Sequence, residues 1–139
     1  MTPPRSAGAV IVRRGDDGWR YLVLRCFRNW DFPKGRIEES ETALEAARRE
    51  VAEETSLPPF EMPWGEVFRE TEPYARGKIA RYYLGHSPDG DVLLPVSSEL
   101  GRPEHHEYRW TTPAEAERLL PPRLRPILAW AISLVEPTP

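Results

Sequence analysis

The first half of the chain is patterned in short blocks. Residues 7–14, Ala-Gly-Ala-Val-Ile-Val-Arg-Arg, are predicted as a strand. Gly15-Asp16-Asp17-Gly18 is a turn signal, and residues 20–26 alternate as a return strand. Residues 28–40 hold no period and contain Pro33 and Gly35, which predicts a loop. Residues 42–55 read as a helix: Thr42 and Glu45 have capping-box spacing, and Leu44, Ala47 and Val51 recur on one apolar face. Residues 56–63 break the pattern. Strands are expected at 65–72, 78–86 and 106–110. Thr111-Thr112-Pro113 opens a helix running through Leu120, with Pro113 suited to the first turn. Residues 124–135 form a strongly apolar helix. Strands flanking and following helices predict one layered α/β domain across 1–139, with its core at about 6–135.

Composition narrows the class. The 139 residues are 40% hydrophobic and 29% charged, a globular and soluble balance. Sixteen prolines, about twice the usual share, fall at the boundaries just described. No apolar run is long enough to span a membrane, and the first five residues lack the apolar core of a secretory signal. Cys26 is the single cysteine, so an internal disulfide is excluded and a cytoplasmic location is expected. Trp19 and Trp64 stand as candidate surface aromatics; nothing in the sequence calls for an obligate protein partner.

Net charge is −3, which argues against bulk attachment to nucleic acid. The charge is unevenly placed. Residues 1–36 carry eight Lys or Arg against three acids, whereas residues 37–55 carry seven Glu against two Arg. A basic segment beside an acidic one suits an anionic substrate held through a cation; it equally suits two solvated faces.

The helix at 42–55 sharpens this. Glu50, Glu53 and Glu54 are spaced i, i+3, i+4 and share one face, where like charges repel. A hard divalent cation such as Mg²⁺ or Mn²⁺ would offset that repulsion with oxygen ligands. A solvated acidic helix partnered by Arg48 and Arg49 is the plainer alternative.

The wider spacing decides between them. Gly35, Glu41, Arg49, Glu50, Val51, Glu53 and Glu54 fit the pattern G-x5-E-x7-R-E-U-x-E-E, where U is aliphatic. Chance agreement at the six exact positions is on the order of 10⁻⁷ per starting point. The chain thus resembles the Nudix hydrolase family. It departs at one position: the family has Gly before the final aliphatic residue, and here Ser56 precedes Leu57. That residue closes the helix, where a left-handed conformation would cost Ser about 1 kcal/mol.

The resemblance implies an α/β/α sandwich around a central mixed sheet, and hydrolysis of a diphosphate linked to a further moiety. It implies metal binding by Glu50, Glu53, Glu54 and the Gly35 carbonyl. Arg49 and Glu41 would brace the loop against the helix. Lys34 would balance phosphate charge, or be a plain loop lysine. Bound divalent ions clamp phosphates and lower the pKa of a water, from which a carboxylate removes a proton.

Three further segments resemble the diadenosine tetraphosphate hydrolase branch of the family. They are Trp30-Asp31-Phe32-Pro33-Lys34-Gly35, Tyr74-Ala75-Arg76-Gly77-Lys78, and Glu104-His105-His106-Glu107-Tyr108-Arg109-Trp110. By that likeness Glu104 is a fourth carboxylate, with Glu107 its alternative, and the general base is one of Glu53, Glu54 or Glu104. His105 and Lys78 would contact phosphate, and Tyr74 would lie near the polyphosphate or stack on adenine. Tyr108, Trp110 and Trp130 read as core; Arg109 is an ion pair or a site residue. The expected activity is asymmetrical cleavage of diadenosine tetraphosphate to ATP and AMP. The alternatives are removal of pyrophosphate from a 5′-triphosphorylated RNA end, and a domain that only binds nucleotides.

Overall fold

The computed structural model describes residues 2–139; Met1, at the head of the expected span, lies outside them. One seven-stranded mixed sheet is covered on both faces by helices. The strands are β1 (Ser6–Gly15), β2 (Gly18–Cys26), β3 (Asn29–Asp31), β4 (Lys34–Arg36), β5 (Phe68–Glu70), β6 (Ala80–His86) and β7 (Glu107–Thr111). The helices are α1 (Ala43–Thr55), α2 (Pro113–Leu119) and α3 (Arg125–Val135), with a 3-10 turn at Pro122–Leu124.

β1 is central. It runs parallel to β6 from Ser6↔Ala80 to Val12↔His86, and antiparallel to β2 from Val12↔Tyr21 to Gly15↔Gly18. β5 extends the sheet beyond β6, and β7 pairs with the far edge of β2. β1 and β2 diverge beyond Val12 and Tyr21. The fork between them is filled by β4, paired with β1 at Ser6↔Arg36 to Gly8↔Lys34, and by β3, paired with β2 at Leu24↔Asp31 to Cys26↔Asn29. The expected loop at 28–40 therefore holds two short strands. Gly8 makes this close approach possible, because a Cβ there would collide with the Pro33 carbonyl.

Ala7, Ala9 and Ile11 of β1 face α1, whereas Val10 and Val12 face α2 and α3; all five are fully buried. Burying side chains of this size stabilises the fold by about 1.5–3 kcal/mol each for the larger ones. α1 is fixed at both ends. Thr42 accepts from the Glu45 N–H while Glu45 accepts from the Thr42 N–H, completing the capping box. Ser56 closes it in the left-handed region (φ 61°), and its N–H donates to the Ala52 carbonyl.

Several expectations are corrected. The strand expected at 65–72 shortens to β5, and that expected from Lys78 begins at Ala80. Tyr108 is 40% exposed rather than core, because β7 is an edge strand. Trp110 is half-buried under the Arg13 guanidinium, 4.0 Å from its ring centre. Trp130 packs half-buried against the α2–α3 side of the core. Trp19 is buried, Trp64 packs beside it, and both indoles donate to Thr138. Neither is a free surface aromatic. Among the described residues no helix is long and apolar enough to cross a membrane.

Candidate active site

The fork, α1 and the segment before β7 together frame an open cleft of about 950 Å³. One wall is Lys34, Gly35 and Arg36 with Arg49, Glu50, Glu53 and Glu54; facing it are residues 94–99 with Glu104 and His105. Residues 70 positions apart in the chain thus meet because β3, which leads into β4, and β7 flank the diverging end of β2.

Arg49 organises the acidic wall. Its guanidinium donates to both oxygens of Glu41 at 2.7 and 2.8 Å, to Glu50 Oε1 at 2.7 Å, to Glu53 Oε2 at 3.3 Å and to the Arg36 carbonyl at 2.9 Å. The helix is thereby bound to the strand that carries Gly35. This guanidinium, with the Glu38 backbone N–H, holds the Glu41 carboxyl down at about 2. Glu41 acts on the loop, not on the cleft floor: it receives Arg49 and the Glu38 N–H, and does not line the cavity.

Glu54 lies deepest. It is 8% exposed and accepts a backbone bond from Lys34 N–H at 3.3 Å. Burial raises its carboxyl well above the usual range, and the charges of Glu104, Glu50 and Asp31 add to that rise. Burial also raises Glu50, against the opposing pull of Arg49. Gly35 has no room for a side chain: a Cβ would fall within the Glu50 carboxyl group. The backbone of β4 is therefore pressed against a carboxylate, which any side chain at this position would displace.

Among the described residues no three acidic or histidine side chains are already converged on one point, since Arg49 draws Glu50 and Glu53 to itself. The donor set nonetheless fits a hard divalent cation. It is all oxygen, and two of its carboxylates are held in mutual repulsion away from water. A cation would relieve the cost of ionising Glu54 there.

Asp31 belongs to this site and had no role in the sequence reading. By its register with Leu24 it stands on the α1 face of the sheet, and its Oδ1 is buried without a hydrogen-bond partner, 3.7 Å from His105 Nε2. A lone acid in an aperiodic stretch carries no signal of this.

Other residues lie elsewhere. Tyr74 and Lys78 close a tight turn before β6, their backbones bonded at 2.9 and 2.7 Å, and do not line the cleft. Tyr74 packs half-buried against the core with Arg123 over its ring. Glu107 is engaged by Arg25 and Arg109, which lower its carboxyl, so Glu104 and not Glu107 faces the cleft. Arg109 pairs with Glu107 and Glu115, an ion-pair arrangement. Arg48 donates to the Phe60 carbonyl and takes no part.

A carboxylate-lined cleft with a flanking lysine in an α/β/α sandwich suits an anionic substrate held through a cation. The chain belongs to the Nudix family: the NUDIX domain pattern matches residues 2–131. It is 31% identical over 127 residues to the asymmetrical bis(5′-nucleosyl)-tetraphosphatase of Rattus norvegicus, covering 83% of each chain. It is 29% identical over 98 residues to the RNA pyrophosphohydrolase of Shewanella baltica, covering 60% of this chain and 56% of that one. Its fold matches an Ap4A hydrolase of C. elegans solved as a binary complex, with a TM-score of 0.79 at 21% identity over 92% and 96% of the two chains. The protein is a Nudix pyrophosphohydrolase acting on nucleoside polyphosphates, in a family that generally uses divalent metal ions. The binding-only alternative is set aside by this.

Proposed function

We propose that this enzyme is an asymmetrical dinucleoside tetraphosphate hydrolase, dependent on Mg²⁺ or Mn²⁺, acting in the cytoplasm. The observation that carries this reading is the shared cleft: Glu104 and His105 face Lys34, Gly35 and the three helix glutamates. The tetraphosphatase likeness over 83% of both chains supports the same choice.

Glu50, Glu53, Glu54 and the Gly35 carbonyl would hold the ion, which supplies charge neutralisation and a more acidic water when bound. The chain's own groups do the rest. Lys34 and His105 take phosphate oxygens on the two walls. One of Glu53, Glu54 or Glu104 accepts a proton from the attacking water. That water's oxygen bonds to a nucleoside-linked phosphorus, the bridging P–O bond breaks, and ATP leaves while AMP retains the new oxygen. Arg49 and Glu41 hold the β4 strand and α1 in register. Tyr74 and Lys78, on their turn outside the cleft, are assigned to the outlying part of a long substrate, with Tyr74 against the polyphosphate or adenine.

The RNA 5′-end reading is kept by one observation, the RNA pyrophosphohydrolase likeness. A competition separates the two. Diadenosine tetraphosphate and 5′-triphosphorylated RNA are supplied at equal concentration with Mg²⁺, and products are resolved by ion exchange. ATP and AMP appear first on this proposal. Phosphate or pyrophosphate released from RNA, with the dinucleotide intact, would replace it with the RNA reading.

A further inference from the structure

We propose that Phe27, with His106 and Arg102, forms a stacking ledge for a nucleobase of the substrate, at the outer end of the cleft. Phe27 is the first residue of the two-residue turn between β2 and β3, whose flanking pair is Cys26↔Asn29. Its φ is 55°, in the left-handed region, and Arg28 does not share it. That is the glycine position of a hairpin turn, and a bulky side chain is strained there. The same side chain is 62% exposed. Both features work against stability, and neither helps the turn. Strain combined with exposure at one residue points to a use for the ring.

The surroundings define that use. The His106 ring meets Phe27 edge-on, with centroids 4.8 Å apart, and the Arg102 guanidinium lies over the Phe27 ring at 5.8 Å. Arg25 Nη1 donates to the Phe27 carbonyl at 2.6 Å, and His106 N–H donates to the Arg25 carbonyl at 2.7 Å. The ledge is thereby tied at both ends. His106 directly follows Glu104 and His105 on the cleft wall, and the Phe27 hairpin leads through β3 to Lys34 and Gly35. An aromatic surface with a neighbouring guanidinium takes a flat, electron-rich ring linked to phosphate. The other exposed phenylalanine, Phe68, differs: its ring is covered by Arg81 at 3.9 Å on the remote strand β5.

This inference rests on the proposed dinucleotide reading for its substrate, and the test keeps the two apart. Phe27→Gly and Phe27→Trp are compared with the unaltered enzyme on diadenosine tetraphosphate and on adenosine 5′-tetraphosphate, which lacks the second base. Phe27→Gly is expected to raise KM for the dinucleotide about 10-fold more than for the mononucleotide. Its thermal midpoint should not fall, since glycine suits φ 55°, and Phe27→Trp should restore KM. A KM ratio changed less than twofold overturns the ledge. An unaltered enzyme that leaves the dinucleotide intact overturns the proposed function instead. The ledge is then read by saturation-transfer NMR with AMP: adenine protons saturated by the protein, and released in Phe27→Gly, support it. No transfer to adenine in the unaltered enzyme overturns it.

Discussion

Replacing Arg49 by alanine tests the frame of the active site. The arginine side chain is 25% exposed, and among the described residues it supplies the only cation bonded to the half-buried Glu50 carboxylate. Removing one partner of a fully buried ion pair costs about 3–5 kcal/mol, because the other charge is stranded. With Glu50 half-buried, about 2 kcal/mol is the appropriate figure. The lost bond to the Arg36 carbonyl adds about 1 kcal/mol. The contact to exposed Glu53 is left out, since screened pairs contribute little. The expected loss is about 3 kcal/mol. For 139 residues the unfolding entropy is roughly 0.3 kcal/mol/K, so the thermal midpoint should fall by about 10 °C in metal-free buffer. Calorimetry measures this, and turnover with Mg²⁺ should fall about 10–100-fold as the carboxylates lose their alignment. The stranded charge itself is tested in the double variant. Glu50→Gln added to Arg49→Ala should recover several degrees. A double variant that melts as low as Arg49→Ala alone would refute the reasoning.

Four further outcomes follow from the same contacts. Glu54 and Glu50 have carboxyls raised above the ordinary 4.5, so the folded chain binds their protons more tightly than the unfolded chain. Their stabilising protonation is complete below 4.5 and is lost as pH rises through the folded values; in EDTA, melting temperature should fall from pH 5 to pH 8, and Mg²⁺ should restore most at the higher pH. Glu41, held at about 2, works in the opposite sense: its contribution is present above 4.5 and disappears as pH falls toward 2, which acid titration followed by circular dichroism would show. Ser56→Gly relieves the left-handed strain but removes the Oγ–H bond to the Leu93 carbonyl, so a midpoint change under about 2 °C is expected, whereas Ser56→Ala keeps the strain, loses the bond and should destabilise by about 1 kcal/mol. Gly35→Ala displaces the Glu50 carboxylate, and activity should drop at least 100-fold with the far-ultraviolet spectrum unchanged.

The sequence was most legible where structure is local. The capping box and the apolar spacing of Ala47 and Val51 define α1 almost to the residue, and the i, i+3, i+4 spacing puts three carboxylates on one face. The strands β3 and β4 escaped because each has three residues, and their hydrogen bonds come from the distant ends of β1 and β2. Pro33 between them also suggests a break. Alternation reports which residues share a face, not how fully that face is covered; on the edge strand β7, Tyr108 is left 40% exposed. Glu104 lies far from α1 in the chain, so only family likeness linked them; the diverging sheet supplies the physical reason. Ser56 shows that a departure from the family pattern can be absorbed: its hydroxyl fastens the helix end to Leu93, next to the 94–99 segment that forms the opposite wall.

The central claim is that the carboxylates of α1 drive attack of water on a nucleoside-linked phosphate. The most direct test is diadenosine tetraphosphate hydrolysis in ¹⁸O-labelled water, with products weighed by mass spectrometry, for the unaltered enzyme and Glu54→Gln. The expected result is label in AMP and none in ATP, with Glu54→Gln folded but slowed by several orders of magnitude. Label in ATP would move the attacked phosphorus. Full turnover by Glu54→Gln would contradict the account of the site.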